Sequence, residues 1–589
     1  MQPLPVAHAL HQQAMNAPPL PHPVRFANLD REAACRPGET VFQAARHAGI
    51  RVVGACGGRG VCGTCLVRVV SGEYETREDA RADGWLRACK LVPLGPCTVE
   101  VAPRSAAPIV RTEVGGRAAE GIFDPAVHVH DLALTPPNLE DPVADADRLL
   151  ARLSIPAIDS ALLRELPILL RKHAWRVRAV SRGSEVIAVG SPASRALGLA
   201  VDLGTTNAAG FLVDLQTGER LGTLGIENPQ ASYGADVVSR VNHAIRASGG
   251  ANELQAAAAV AIGELARDLC EAAGAATGEI VEIAVCGNTA MHHLLAGLPV
   301  AQLGRAPFVP AVTLPLEIKA RELALPGAPG AVAYLLPNIG GFVGGDHVAV
   351  LLATEEQWRG RTALVIDIGT NTEVSLVSPQ GIATVSCPSG PALEGGHISC
   401  GMRAAEGAIE RVHAREGRLE LKTIGDAAPV GVCGSGVVDA VAAFRALELI
   451  DRRGRIAGGK REIALAPGVA FTQADVRSVQ LAKAAIRAGI DLLLETSGVQ
   501  AEAVERVLIA GAFGEYLGIE AALAIGLLPR LPLERIEQVG NAAGAGVALA
   551  LASVQSRARA AELAARCRYL ELGTLAQFQK TFVRRIGFD

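Results

Sequence analysis

Aromatic residues are scarce in this 589-residue chain, at 3% of the total, which argues against aromatic recognition platforms. No charge sign dominates: 56 Lys and Arg stand against 60 Asp and Glu, a net charge of −4, so nothing electrostatic points to a nucleic-acid partner. No run of eighteen apolar residues would span a membrane. Residues 1–22 lack Lys and Arg and any long apolar core, so a disordered tail is expected there rather than a signal peptide, and the cytoplasm is the default location. What is abundant is small and apolar: 49% of residues are hydrophobic, 20% are charged, and 64 are glycine. That balance suits helix-on-sheet packing with Gly-rich turns, divided among three or four domains at roughly 150 residues each.

Twelve cysteines in a reducing compartment do not read as disulfides. Cys35, Cys97, Cys270, Cys286, Cys387, Cys400, Cys433 and Cys567 are scattered among apolar or small residues and read as small buried hydrophobes. The other four lie within 56–89, spaced Cys56-x5-Cys62-x2-Cys65-x23-Cys89 in a Gly-rich loop, a strand-like LVRVV and the segment RACKLVP. A [2Fe–2S] cluster takes four thiolates, three from one loop and one from a distant strand. Glycines let the backbone wrap closely and aim N–H groups at sulfur. The first gap is one residue longer than in plant-type ferredoxins and resembles the adrenodoxin-like and activator-linked kinds. Cys97 competes with Cys89 as fourth ligand; RACKLVP resembles the ferredoxin sequence around the last cysteine and favours Cys89. Gly58, Gly60 and Gly63 formally match a dinucleotide fingerprint, but ligand cysteines interrupt it and no adequate helix follows. Structural zinc would prefer two C-x2-C knuckles, and only one is present. Upstream, Thr40 followed by Gln43 resembles a capping box and predicts a helix over 41–48.

Residues 103–126 mix Pro, Ala and Gly without periodicity, a linker with a reach of roughly 25–30 Å. Over 127–195 the strand-like VHVHDLAL, helical DADRLLARL and SALLRELPILLRKH, and strand-like WRVRAVSRG and SEVIAVG predict a small α/β module. His128 and His130 read as one strand face, because no further ligand is evident.

Two segments repeat one pattern. LAVDLGTTN at 199–207 and LVIDIGTNT at 364–372 are each an apolar strand followed by Asp, Gly and hydroxyl or amide residues, with Asp202 and Asp367 165 positions apart. Such a repeat suggests a duplicated fold whose halves face each other across a cleft. The glycines Gly204 and Gly369 permit phosphate to approach backbone N–H groups, and Thr205, Thr206, Asn207, Thr370, Asn371 and Thr372 add donors. Asp202 and Asp367 would hold Mg²⁺ through its waters, and one of them could orient an attacking water. The stretch Gly454-x4-Gly459-Lys460 is a Walker A near-miss, discarded because Arg461 follows the lysine.

These motifs resemble, in order, those of the actin, sugar-kinase and heat-shock chaperone ATPase superfamily. Residues 202–207 and 367–372 match its two phosphate motifs, and RVLIAGAFGEYL at 506–517, with Gly511 and Gly514, its adenosine motif. IAVCGNTAMHHLL at 283–295 and GNAAGAGVALAL at 540–551 resemble its connecting helices. GVCGSGVVDAV at 431–441 adds Gly434 and Gly436 at a helix start. The whole arrangement resembles the ATP-dependent reductive activators of corrinoid proteins, as do PNIGGFVGGDH at 337–347 and SGPALEGGHISCGM at 389–402.

The resemblance implies an α/β multidomain chain. A β-grasp [2Fe–2S] ferredoxin spans 23–102, the module 127–195, and a large duplicated RNase H-like, actin-type ATPase domain 196–589. It implies a homodimer that uses ATP and Mg²⁺ to return one electron to the Co(II) of a corrinoid protein of a methyltransferase system, fed by an upstream low-potential reductant. A plant-type cluster sits near −400 mV. An uphill step of ~100 mV costs about 2.3 kcal/mol per electron, which is why ATP is needed. The alternatives are a ferredoxin-type carrier with a nucleotide-sensing domain, a sugar-type kinase with a regulatory cluster, and a scaffold with lapsed sites.

Overall fold

The computed structural model describes residues 21–48, 50, 52, 65–76, 84–102, 105, 122–402, 404–511 and 513–588. Residues 1–20 of the expected 1–22 tail, Cys56, Cys62, the glycine fingerprint at 58–63 and most of the 103–126 linker lie outside these residues, while His22 already belongs to a strand. The chain divides into two compact units, one comprising 1–109 with 231–235 and the other the remainder.

In the first unit, five strands lie in the spatial order Arg31–Cys35, His22–Phe26, Cys97–Val101, Leu66–Ser71, Leu86–Arg87. The pairing of His22–Phe26 with Cys97–Val101 is parallel and the others are antiparallel. The helix Val41–His47 starts at Thr40, whose hydroxyl accepts from the Gln43 N–H while the Gln43 side chain accepts from the Thr40 N–H, completing the capping box. Its Val41, Phe42, Ala44 and Ala45 cover Val24, Phe26, Val67, Val99 and Val101 on the sheet, which is the β-grasp arrangement.

The second unit opens with a four-stranded sheet ordered Val127–Ala133, Arg176–Arg182, Glu185–Gly190, Ala157–Ile158. The helices Asp145–Leu153 and Ser160–Lys172 pack on it. Leu162, Leu166 and Leu170 recur every four residues, so one helical stripe meets Trp175, Val177, Ala179 and Val186. His128 and His130 share a strand, where the His130 Nε2 pairs with the Ser181 hydroxyl at 2.9 Å.

Two six-stranded sheets follow. The first runs Arg220–Glu227, Asn207–Asp214, Leu197–Leu203, Ile280–Gly287, Val332–Leu335, Leu316–Lys319. The second runs Gly381–Cys387, Thr372–Ser378, Ala363–Ile368, Arg506–Ala510, Ile536–Gly540 from hairpin to parallel edge, with Cys567–Tyr569 beside Gly381–Cys387. Each begins with an antiparallel meander of three strands and continues with two parallel ones, the RNase H-like order appearing twice. The small residues of Ala542–Ala552 have a steric cause. A Cβ on Gly546 would stand 2.0 Å from the Ala349 carbonyl oxygen, and one on Gly544 would stand 2.5 Å from the Phe211 ring. This helix therefore seats against Gly345–Ala353 only because those side chains are missing. The discarded Gly454–Lys460 stretch forms a turn and a short 3-10 segment, with Lys460 exposed. Among the described residues, no helix is long and apolar enough to cross a membrane.

Candidate functional site

In the first unit, Cys65 directly precedes the strand Leu66–Ser71 and Cys89 lies in the 3-10 turn Ala88–Lys90. The Ala88 N–H donates to the Cys65 carbonyl at 2.7 Å, and both thiols are buried with their sulfurs 3.4 Å apart. That separation is too long for a disulfide bond of about 2.05 Å. Two buried thiols drawn together from positions 24 apart fit a [2Fe–2S] donor set. Cys97 instead opens the central strand and packs in the core beside Cys35. Burial pushes the Cys97 thiol up; burial, then Glu39 and Cys97, push Cys35 up to about 11. Both behave as small buried hydrophobes.

In the second unit, the two Asp-Gly motifs end the central strands of the two halves. Gly204 sits under the Asn207 carbonyl, where a Cβ would come within 2.7 Å. The Gly369 N–H donates to the Asn371 carbonyl at 3.1 Å. The first loop is braced from behind: the Asn228 side chain donates to the Gly204 carbonyl at 2.8 Å, and the Arg240 guanidinium donates to the Thr205 carbonyl. Arg240 is fully buried, and burial pulls its pKa down to about 9 against the opposing pull of Asp236 and Glu227.

The loops meet. The Thr206 and Thr370 hydroxyls lie 2.8 Å apart, and the Thr370 hydroxyl donates to Glu394 Oε2 at 2.9 Å. Thr372 faces away into the core, with its hydroxyl 2.9 Å from that of Ser389. Asn207 is exposed and Asn371 partly so.

Asp202 and Asp367 belong to a larger carboxylate group. Burial first, then the neighbouring Asp346, pushes Asp202 up to about 7. Burial, Asp346 and Asp202 push Asp367 up to about 8. Asp346 rises to about 6 through burial, opposed by backbone N–H groups including that of His347 at 2.8 Å. Glu373 is also driven upward, by burial and then by Asp346 and Asp367. Like charges crowded in a low-dielectric site call for a compensating cation or proton. An all-oxygen donor set suits Mg²⁺. Among the described residues, no three His, Cys, Asp or Glu side chains converge closely enough to ligate one ion directly.

Of the expected glycines, Gly511 approaches the second loop, at φ +97° with its Cβ position 2.5 Å from the Ile368 carbonyl and 2.9 Å from Asp367 Oδ1. A Cβ on Gly434 would meet the Leu393 carbonyl at 2.5 Å and the Glu394 Cα at 3.0 Å, so Gly434 lets the Glu394 segment seat. Gly436 and Gly514 pack against Ile409 and Ile509. Asp346, Arg240 and Glu394 escape sequence reasoning as site residues. The only local signal for Asp346 is its place after Gly344 and Gly345 at a helix start.

Comparisons with known proteins place family matches in order between residues 25 and 588. The 2Fe-2S iron-sulfur cluster binding domain matches 25–94, the RACo linker region 116–194, the RACo middle region 197–357, and the C-terminal domain of RACo, the ASKHA domain, 361–588. The corrinoid activation enzyme RamQ of Eubacterium limosum is 30% identical over 96% of this chain and 99% of its own. The [Co(II) methylated amine-specific corrinoid protein] reductase of Methanosarcina barkeri is 28% identical over 58% of this chain and 68% of its own. A solved structure described as a reductive activator for corrinoid, iron-sulfur protein superposes with a TM-score of 0.71 at 32% identity, covering 96% and 98% of the two chains.

Proposed function

The chain belongs to the family of corrinoid reductive activators, and we propose that it returns a Co(II) corrinoid protein to Co(I) by one electron in a reaction coupled to ATP. The observation that carries this reading is the meeting of the two Asp-Gly loops at Thr206 and Thr370, 2.8 Å apart, in the same chain as the paired thiols of Cys65 and Cys89.

Cys56, Cys62, Cys65 and Cys89 would hold the [2Fe–2S] cluster, which supplies a low-potential one-electron carrier when bound. Gly204, Thr205, Thr206 and Asn207 on one loop, and Gly369, Thr370 and Asn371 on the other, would line the space for the phosphates of ATP, with backbone N–H groups and the Thr205, Asn207 and Asn371 side chains as donors. Asp202, Asp346 and Asp367 would hold Mg²⁺ through its waters. Gly511 lets the adenosine-side strand end approach the second loop. Because the loops come from opposite halves, ATP held by both favours the closed cleft, and closure can act only through the difference in ATP affinity between the two conformations. The partner is a corrinoid protein of a methyltransferase system, fed by a separate low-potential reductant, and the setting is the cytoplasm. A homodimer is the assembly we expect.

The test mixes the cluster-loaded chain with a Co(II) corrinoid protein, a low-potential reductant and MgATP, and follows Co(I) optically. Co(I) should accumulate only with ATP. Equal rates without ATP would sink the coupling.

A further inference from the structure

Glu394 lies outside the Asp202–Asp346–Asp367 group: its charge is not among those shifting any of the three. It ends the 3-10 turn Pro391–Glu394, which Gly395 at φ +85° closes. Its carboxylate accepts the Thr370 hydroxyl hydrogen at 2.9 Å. A hydroxyl has one hydrogen, and with that of Thr370 given to Glu394, Thr370 receives its other bond from Thr206, 2.8 Å away. The direction is therefore fixed as Thr206 to Thr370 to Glu394, across both phosphate loops. The Thr206 oxygen keeps a lone pair for one further donor, and this residue remains partly accessible.

We propose that Glu394 is a positioning residue for ATP hydrolysis, the terminal proton acceptor of a two-hydroxyl relay that orients the attacking water. This rests on the ATP-coupled reading above. The water oxygen bonds to the γ-phosphorus while the bond from that phosphorus to the β–γ bridging oxygen breaks, and ADP leaves with the electron pair. The water proton passes to Thr206, the Thr206 proton to Thr370, and the Thr370 proton to Glu394. The relay spans the cleft, so it is complete only when the two halves bring Thr206 and Thr370 within bonding distance. Hydrolysis is thereby tied to closure.

The experiment measures kcat and KM for ATP on the cluster-loaded full chain, with and without a Co(II) corrinoid protein, for wild type, Glu394→Gln, Glu394→Asp, Thr370→Val and Thr370→Ser. Glu394→Gln should lower kcat about 100-fold or more, the low end for a lost proton-transfer group. KM should stay within about 3-fold, since proton acceptance by Glu394 develops only in the transition state. Glu394→Asp should recover part of the loss, and Thr370→Ser part of what Thr370→Val loses. Thr370→Val keeps the side-chain shape without the hydroxyl, so it carries the test if Glu394→Gln unfolds. Wild-type kcat in Glu394→Gln overturns the relay, as does a loss expressed wholly in KM, which would mark Glu394 as a brace for the loop. A wild-type chain that turns over no ATP under either condition removes the ATP-coupled reading itself.

Discussion

Asp202, Asp367 and Glu373 are driven upward by burial and by neighbouring carboxylates, Asp346 among them, and Asp346 itself by burial. A bound divalent ion relieves that repulsion, so Mg²⁺ should raise the melting temperature of the wild-type chain measurably and that of Asp367→Asn less. ATP turnover by Asp367→Asn should fall about 100-fold or more, the scale of losing one preorganised electrostatic group. Unchanged turnover would remove Asp367 from the site. For the thiols, Cys89→Ser should lose the visible absorption and much of the iron of the reconstituted protein, whereas Cys97→Ala should keep both. The reverse would assign Cys97 as the fourth ligand. At this scale the sequence was most readable where chemistry is local. The Cys56–Cys62–Cys65 spacing and the Asp-Gly turns announce themselves within ten residues. Asp346, Arg240 and Glu394 do not, because each acquires its meaning from a neighbour far away: Arg240 from the Thr205 carbonyl and Glu394 from Thr370.

Among the elements, the capping box and the helical reading of SALLRELPILLRKH forecast well. Thr40 with Gln43 gave the first helix, which ends at His47, one residue short of the expected 48. The Leu162–Leu166–Leu170 repeat likewise fits its helix. Two ionic clusters that fasten elements together left no sequence trace. Asp159 accepts from the Ala161 and Leu162 N–H groups at the start of Ser160–Lys172 and pairs with Arg321 at 2.9 Å and Lys319 at 3.1 Å. Burial would raise its pKa, but the bonds from Arg321, Lys319 and the two amides together hold it below the ordinary carboxylate value. A depressed carboxyl stabilises the native state above its unfolded pKa of about 3.9 and loses that contribution as pH falls through the lower folded value. The melting-temperature gap between wild type and Asp159→Asn should therefore be full at pH 6 and close below about pH 3.9. A gap that widens on acidification would contradict this. Glu282, fully buried, pairs with Arg182 at 3.0 Å and with Arg557 at 2.8 Å, and the Arg557 guanidinium lies 4.5 Å from the centre of the Tyr334 ring. Glu282→Gln strands a buried guanidinium and should cost about 3–5 kcal/mol in denaturant unfolding. A change under about 1 kcal/mol would mean that the cluster is solvated.

For the molecule as a whole, duplication was legible because the same strand-turn pattern occurs twice, and both sheets repeat one strand order around it. The closing of the fold at its C-terminal end was not. Phe588 is buried, its N–H donates to the Arg452 carbonyl at 2.8 Å, and Gln480 and Lys483 donate to the Ile586 and Gly587 carbonyls. No periodicity marks these last residues as core. Phe588→Ala should cost about 3–5 kcal/mol, the usual loss for a buried aromatic.

On the proposed function, an electron from the cluster expected at Cys56, Cys62, Cys65 and Cys89 reaches cobalt only when ATP occupies the cleft between the Asp202 and Asp367 loops. A single-turnover mixing experiment tests it most directly. The cluster is reduced beforehand, excess reductant is removed, and cluster absorbance and Co(I) absorbance are followed together after mixing with a Co(II) corrinoid protein, with and without MgATP. One cluster should be oxidised per Co(I) formed, and only with ATP. Cobalt reduction without ATP, or Co(I) formed while the cluster stays reduced, would contradict it.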